Sequence, residues 1–502
     1  MKRKLLAGLM ALALLLPVGG CMGTSTDTNT PTKSPVAESK TDASATETQI
    51  AAKGPAADTK QLPEMNTTDQ IHLTYATWDD WEMADYLAAK FTEKYPNIEV
   101  EIVKIPIDGY NDALLALASS GQLPDAYMYL SNVDMPTANG WLCDITEYWD
   151  NDPEADKFLS SIKESGRLDG ERVFVVAGEY LPMCVYIDKA VFDKLNVPMP
   201  DSNWTYEEML ALMKSMTRPE EGIYGYNSFF GIISFAPVSL NDSICEFGWD
   251  GSNYKFDGAW ATALNTEAEF RRLGYRAMQG TEEWGAASGD IDMWPGASGR
   301  VAMQHDAWWT MNNIYTKSEA IEKGIEMIPY VLPRGANSKT DHKLAFLDYA
   351  AISSATDYPR EAYEMLKFLT WGTDGWYERI EAFKTLTNEA GDKIYEVPNC
   401  LPLIDDDALW AEYRKLYPPA SYYDDFFAHA KEPIGFGGTI IPGFVKFLNE
   451  IYQNGDYNGY PNVEDAVFNG AIDANDVAAD LNKKGREYYE AALETFYSIY
   501  GK

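Results

Sequence analysis

Two short stretches carry residue types suited to gripping a ligand without reacting with it. Trp78-Asp79-Asp80-Trp81 and His305-Asp306-Ala307-Trp308-Trp309 each set indole rings beside carboxylates. A ring face offers an apolar platform for C–H groups, and a carboxylate accepts hydrogen bonds from hydroxyls. That pairing suits a polyhydroxylated ligand. Asp79 and Asp80 also read as a helix N-cap, with Trp81 packed at the helix start. His305 also reads as a buried structural histidine. Two adjacent tryptophans cannot both point into one strand's core, so at least one of Trp308 and Trp309 belongs near a surface or cleft. Covalent chemistry has no comparable pattern. The chain holds four histidines, at 72, 305, 342 and 429, and lacks HExxH, GxSxG, GxxxxGK[ST] and GxGxxG. Cys143, Cys184, Cys245 and Cys400 are far apart, without a CxxC pair or a histidine at ligand spacing. Most are expected as free buried thiols, and neither a metal nor a cofactor is expected. Asp150-Asn151-Asp152 and Asp405-Asp406-Asp407 lack the glycine and glutamate spacing of a calcium loop.

Such loops need a frame. Residues 71–76 alternate as a strand, 83–91 have helical spacing, 98–103 form a second strand, 110–119 a helix and 126–130 a third strand. Strand–helix–strand–helix–strand with short connections predicts a parallel sheet covered by helices. Ligands in such sheets sit beyond the carboxyl ends of the strands, which points to loops 77–81 and 130–134. Trp141, Trp204, Trp260, Trp371 and Trp410 lie in contexts that favour packing, and Trp249-Asp250-Gly251 reads as a turn.

The chain has 502 residues, with 41 Lys and Arg against 77 Asp and Glu and a net charge of −36. A polyanion such as nucleic acid needs a basic footprint, and an anionic lipid surface needs one too; neither partner fits. At the N-terminus, Met1-Lys2-Arg3-Lys4 and the apolar run 5–17 form a signal peptide over 1–20. Val18-Gly19-Gly20-Cys21 resembles the lipobox of bacterial lipoproteins, with Cys21 as the lipidated residue. Residues 21–69 contain no Phe, Tyr or Trp and are expected to be a disordered tether.

From about residue 70 onward the chain resembles the family 1 extracellular solute-binding proteins, the carbohydrate-binding subunits of ABC importers. Four stretches carry the resemblance. Gly121–Asp125 with Gly140–Thr146 is similar to the family's GxxPD…GxLxDLT segment. Tyr186–Lys194 with Asn203–Glu208 resembles YNKxLFDKAG…TWDEL. Gly299–Met303 ending in Trp308-Trp309 resembles GKAAMxxxGxW, with Ala307 where the family often has glycine. Tyr358–Leu369 resembles the helix opening KEAAxxFLxFL.

The resemblance implies an α/β fold of the two-lobed periplasmic-binding-protein type (type II). Each lobe would be a mainly parallel sheet flanked by helices, hinged about a ligand cleft. It places the N-lobe at 70–180 plus 335–400 and the C-lobe at 181–334 plus 401–502. Hinge crossings are expected at 177–184, where Glu179–Pro182 should interrupt a strand, and at 325–334. It further implies Tyr129 and Asn132 on the third strand's loop, Glu179 and Tyr180 on the cleft floor, and Asn227, Phe229 and Phe436 as loop contacts. With Trp78, Asp79, Asp80, Trp81, His305, Asp306, Trp308 and Trp309 these form the candidate ligand site. The implied protein is a monomeric, lipid-anchored binding protein on the extracellular face of the bacterial cell membrane. It would not be an enzyme, and would pass a mono- or oligosaccharide to permease subunits and, through them, serve an ATPase subunit. An exported glycoside hydrolase and a ligand sensor for a membrane receptor are the alternatives.

Overall fold

The computed structural model describes residues 60–502 apart from 66, 79, 130, 131, 229, 243–245 and 436–439. The chain divides into two units, Met1–Gln61 and Leu62–Lys502, and the elements below belong to the second. Cys21, the signal peptide and most of the expected tether lie outside the described residues. The tether was expected to reach residue 69, but Leu62 and Met65 pack against the folded body. The Pro63 carbonyl accepts a bond from Arg360 Nε at 2.6 Å. Two apolar side chains and a satisfied carbonyl are enough to hold this segment in place.

The chain enters a sheet at β1 (Ile71–Thr77), which pairs in parallel with β2 (Ile98–Lys104) and β3 (Ala126–Met128). The connecting helices are α1 (Trp81–Lys94) and α2 (Tyr110–Ser119). Met83, Leu87, Ala88 and Phe91 of α1 recur at helical spacing and are buried, so one stripe of the helix covers the sheet. This βαβαβ arrangement is the one that the apolar periodicity predicts.

Beyond it the sheet is mixed. β4 (Val175–Asp188) runs for 14 residues. Its first half pairs antiparallel with β8 (Lys343–Ile352), which also lies against β3. Its second half pairs antiparallel with β6 (Met303–Ala307) and β7 (Met327–Val331). β5 (Asn227–Ser228) and β9 (Pro433–Gly435) add short parallel partners to β6 and β8. The order is β2-β1-β3-β8-β4-β6-β5, with β7 and β9 off this path. The expected break at Glu179–Pro182 does not occur. The irregularity is instead a register shift between Ala177 and Glu179. It falls at Gly178, where a Cβ would lie 3.2 Å from Thr370 Cγ2 and 3.3 Å from the Asp348 carbonyl oxygen. Nor is 325–334 a crossing. β7 is a regular strand that carries Pro329 on an edge, where a missing N–H is tolerated, and β8 makes the return.

Two apolar cores flank this sheet. Leu73, Phe91, Tyr127, Trp371 and Trp376 belong to the first; Trp204, Met213, Phe256, Trp260 and Phe447 belong to the second. Alternation along β4 sends Cys184 and Tyr186 to the first core and Met183, Val185 and Ile187 to the second. Residues 401–430, which the sequence reading grouped with the second lobe, pack in the first core through Leu401, Trp410 and Phe427. Bridges from Leu401 to Tyr180 and from Ile404 to Phe158 draw that segment in. The five tryptophans expected to pack are buried, and Cys143, Cys184 and Cys400 are free thiols. Among the described residues no helix is long and apolar enough to cross a membrane.

Candidate functional site

The pairing of β4 with β8 sets Glu179 opposite Asp348 and Leu181 opposite Phe346. Along β8, Phe346 and Asp348 are half-buried while Ala345, Leu347 and Tyr349 are buried. One face of the ladder therefore presents an aromatic ring and two carboxylates in a row. Phe346 lies between Trp309, at 5.0 Å, and Phe230, at 5.3 Å. Trp309 and Phe230, both half-buried, follow the ends of β6 and β5. Three rings from three segments make the aromatic end of a strip.

Carboxylates make the other end. Asp80 precedes α1 with a left-handed φ of 49° and no side-chain cap bond. The N-cap alternative fails for this side chain, which turns away from the helix. Its Oδ1 accepts from the Tyr395 hydroxyl and its Oδ2 from Asn399 Nδ2 at 3.4 Å. Arg379, on α5 (Thr373–Thr385; α4 is Pro359–Leu369), is buried and donates to the Leu369 carbonyl at 2.8 Å. Burial opposes its charge, but Cys400, Glu179, Asp80 and Tyr395 hold the guanidinium above its ordinary pKa. At the end of β1 the Tyr75 hydroxyl is pushed up by burial, then by Glu179 and Asp348. Asp80, Glu179 and Asp348 thus share one neighbourhood around Arg379 and Tyr75. Beside it Trp78 is half-buried, edge-on to Tyr110 at 5.0 Å, and Trp81 Nε1 donates to the Thr77 carbonyl at 3.3 Å.

Several candidates lie elsewhere. Tyr129 is buried and stacked on Tyr349. Tyr180 is buried, with its hydroxyl on the Ala430 carbonyl at 2.7 Å. Trp308 is buried against Phe426 at 4.5 Å. These three are core residues as placed, because each ring already has protein on its faces. Asn132 is buried and its Oδ1 accepts from the Asp134 amide, a turn bond. Asn227 donates from Nδ2 to Gln304 Oε1 at 2.8 Å where β5 pairs with β6. His305 is buried next to them. Ser228 Oγ accepts from the Phe230 and Gly231 amides, which leaves its hydrogen for His305 Nδ1 at 2.7 Å. The ring is then neutral with hydrogen on Nε2, and burial, with Arg276, depresses its pKa to about 3. Burial pushes the Asp306 carboxyl up to about 7, and its Oδ1 accepts from the Ala307 amide at 2.8 Å. Asp79, Phe229 and Phe436 lie outside the described residues.

Phe346, Asp348, Arg379, Tyr395 and Asn399 were missed. Alternation in Leu344-Ala345-Phe346-Leu347-Asp348 held a usable signal, since an aspartate two residues from a phenylalanine marks a face that is not core. Nothing local marks Tyr395, whose partner is 315 residues away. A surface depression of about 610 Å³ between α1 and β2 shares no residue with the strip.

Residues 81–370 match the model of a family described as bacterial extracellular solute-binding proteins. No curated protein sequence matches the chain. The sugar-binding protein MalE from the phytopathogen Xanthomonas citri superposes with a TM-score of 0.62 at 13% identity, over 85% of this chain and 99% of that one. The cyclic α-maltosyl-1,6-maltose-binding protein from Arthrobacter globiformis gives 0.60 at 15% identity, over 84% and 99%. An ABC substrate-binding protein from Listeria monocytogenes in complex with cycloalternan gives 0.57 at 16%, over 86% and 100%. The likeness establishes a two-lobed α/β fold of the type II periplasmic-binding-protein kind, with helices flanking a mixed sheet.

Proposed function

The chain belongs to the bacterial extracellular solute-binding proteins, and on that premise we propose that it captures a sugar or oligosaccharide between two lobes and delivers it to an ABC permease. The observation that carries the reading is the half-buried strip along β4 and β8, with Trp309, Phe346 and Phe230 at one end and Glu179, Asp348 and Asp80 at the other. Rings stack on the C–H faces of a sugar, and carboxylates accept from its hydroxyls. The lobes are built around the two cores, and β4 and β8 form the hinge between them. One solved structure of this fold is in complex with cycloalternan and another with maltotetraose, which supports an oligosaccharide over other solutes. The protein works as an exported monomer held to the outer face of the cell membrane by lipid on Cys21. Two or three acyl chains, at ~0.8 kcal/mol per buried CH₂, suffice for stable anchoring.

The test is a thermal-shift screen against neutral, amino and uronic oligosaccharides, with hits followed by calorimetry and small-angle scattering. Binding accompanied by compaction, with no new reducing ends on prolonged incubation, supports the proposal. A chain stabilised by a peptide or another non-carbohydrate solute, and by none of the sugars, would overturn it.

A further inference from the structure

Phe230 reaches the aromatic end of the strip from a segment whose backbone is bonded to charged side chains. Ser228 and Ile232, on either side of it, bond to a buried ion cluster supplied by α3 (Ala261–Leu273) and by Arg276 just after it. Glu267, fully buried, accepts from the Ile232 amide at 3.1 Å through Oε2. Its Oε1 accepts from Arg276 Nη1 and from Arg271 Nε. Arg276 Nη2 in turn donates to the Ser228 carbonyl. Ser228 and Ile232 are therefore gripped by the two members of one ion pair. Between the grips, Gly231 has a φ of 80°, and a Cβ there would lie 3.7 Å from both Arg276 Nη1 and Glu267 Cδ. The positive φ is what calls for glycine here, since a Cβ at that distance would meet the pair only in ordinary contact. From the inside, Ser228 Oγ accepts the Phe230 and Gly231 amides and donates to His305.

An ion pair is a poor way to fill space, because desolvating two charges cancels most of their attraction. Apolar side chains of the same volume would pack as well. They could not satisfy the Ile232 amide and the Ser228 carbonyl, and these bonds fix the backbone at both residues.

We propose that Glu267 and Arg276 are positioning residues for ligand capture: they fix Ser228 and Ile232, on either side of Phe230, so that Phe230 stays against Phe346 and completes the aromatic end of the strip. Both bond to the backbone beside Phe230, at Ile232 and Ser228. The proposal rests on the reading of the strip as the sugar site, but its mechanical part is tested without sugar.

4-Fluorophenylalanine placed at position 230 of the otherwise intact protein reports the ring's surroundings by ¹⁹F NMR. In Glu267→Gln and Arg276→Met the resonance is expected to move towards that of the urea-unfolded chain while the protein remains folded. Faster exchange of the Phe230, Gly231 and Ile232 amides should accompany it. Arg276→Lys keeps the charge but loses the two-pronged grip, so its resonance should fall between. Asp152→Asn, which breaks the Lys367 pair in the first core, should lower the melting temperature and leave the resonance unmoved. A parental resonance in both Glu267→Gln and Arg276→Met overturns the proposal. If those two variants fail to fold, a parental resonance in Arg276→Lys overturns it equally. A moved resonance in a protein that binds no sugar would leave the clamp standing and refute the sugar reading instead.

Discussion

Trp308 is stacked on Phe426 at 4.5 Å, and its Nε1 reaches the Pro398 carbonyl at 3.1 Å. Removing that ring leaves a large void, so Trp308→Ala should cost about 3–5 kcal/mol in urea unfolding. Trp309, half-exposed, has only Phe346 as an aromatic partner among the described residues. Trp309→Ala should stay within about 1 kcal/mol of the parent in stability and weaken oligosaccharide affinity by about 2 kcal/mol in calorimetry. The reverse pattern would exchange the roles of the two rings. Asp306 gives a pH-dependent prediction. Its folded pKa is raised from 3.8 to about 7 by burial. Between those values the folded chain holds a proton that the unfolded chain has released, so this group's contribution to stability is lost as pH rises through the window. Asp306→Asn should therefore shrink the difference in unfolding free energy between about pH 5 and pH 8. An undiminished difference would mean that the carboxyl does not titrate there.

Among the elements, α6 (Ala474–Tyr500) sets helix propensity against packing. It spans 27 residues, with Ala478 and Leu481 buried in the second core and Phe496 in the first. Its last turn is fastened by Arg172, which donates to the Tyr500 and Gly501 carbonyls. Gly485 sits mid-helix, where alanine would ordinarily gain about 1 kcal/mol. Here a Cβ would stand 2.5 Å from Tyr254 Cδ2. Tyr254 cannot retreat, being buried between Trp249 at 4.8 Å and Phe256 at 5.5 Å. Overpacking of that kind costs about 1–3 kcal/mol, so Gly485→Ala should lower stability despite the better helix former. A raised melting temperature for this variant would show that the ring yields. The prolines of the sheet follow a related logic. Pro182 and Pro329 suggested breaks, yet both lie inside strands: Pro329 is on the edge strand β7, and Pro182 stands where β4 passes from pairing with β8 to pairing with β6, so each can forgo one ladder bond.

For the molecule as a whole, the excess of carboxylates and the N-terminal segment make separate statements. A net charge of −36 gives no electrostatic attraction to anionic lipid, so the membrane retention proposed above would have to come from acyl chains on Cys21. Cys21→Ser is expected to release the protein from the membrane fraction into the medium with an unchanged unfolding curve. Continued quantitative retention of that variant would refute the anchor.

The opening βαβαβ unit was legible in the sequence because its determinants are local: apolar residues alternate in β1 and recur every three or four positions in α1. The packed tryptophans, the free thiols and the loop at the end of β1 were legible on the same grounds. Local pattern could not separate Trp308 from Trp309, since both follow one short strand, and burial depends on the segment 398–427 that folds over the first. Nor could it show that 401–430 joins the first core, a matter of which distant surface offers the larger apolar contact. The carboxylate neighbourhood gathers Asp80, Glu179, Asp348, Arg379 and Tyr395 from five separate segments. Residue types and spacing determined that the chain could hold a ring-and-carboxylate site. Only the pairing of β4 with β8, which brings residues far apart in the chain onto one face, decided which residues form the candidate strip.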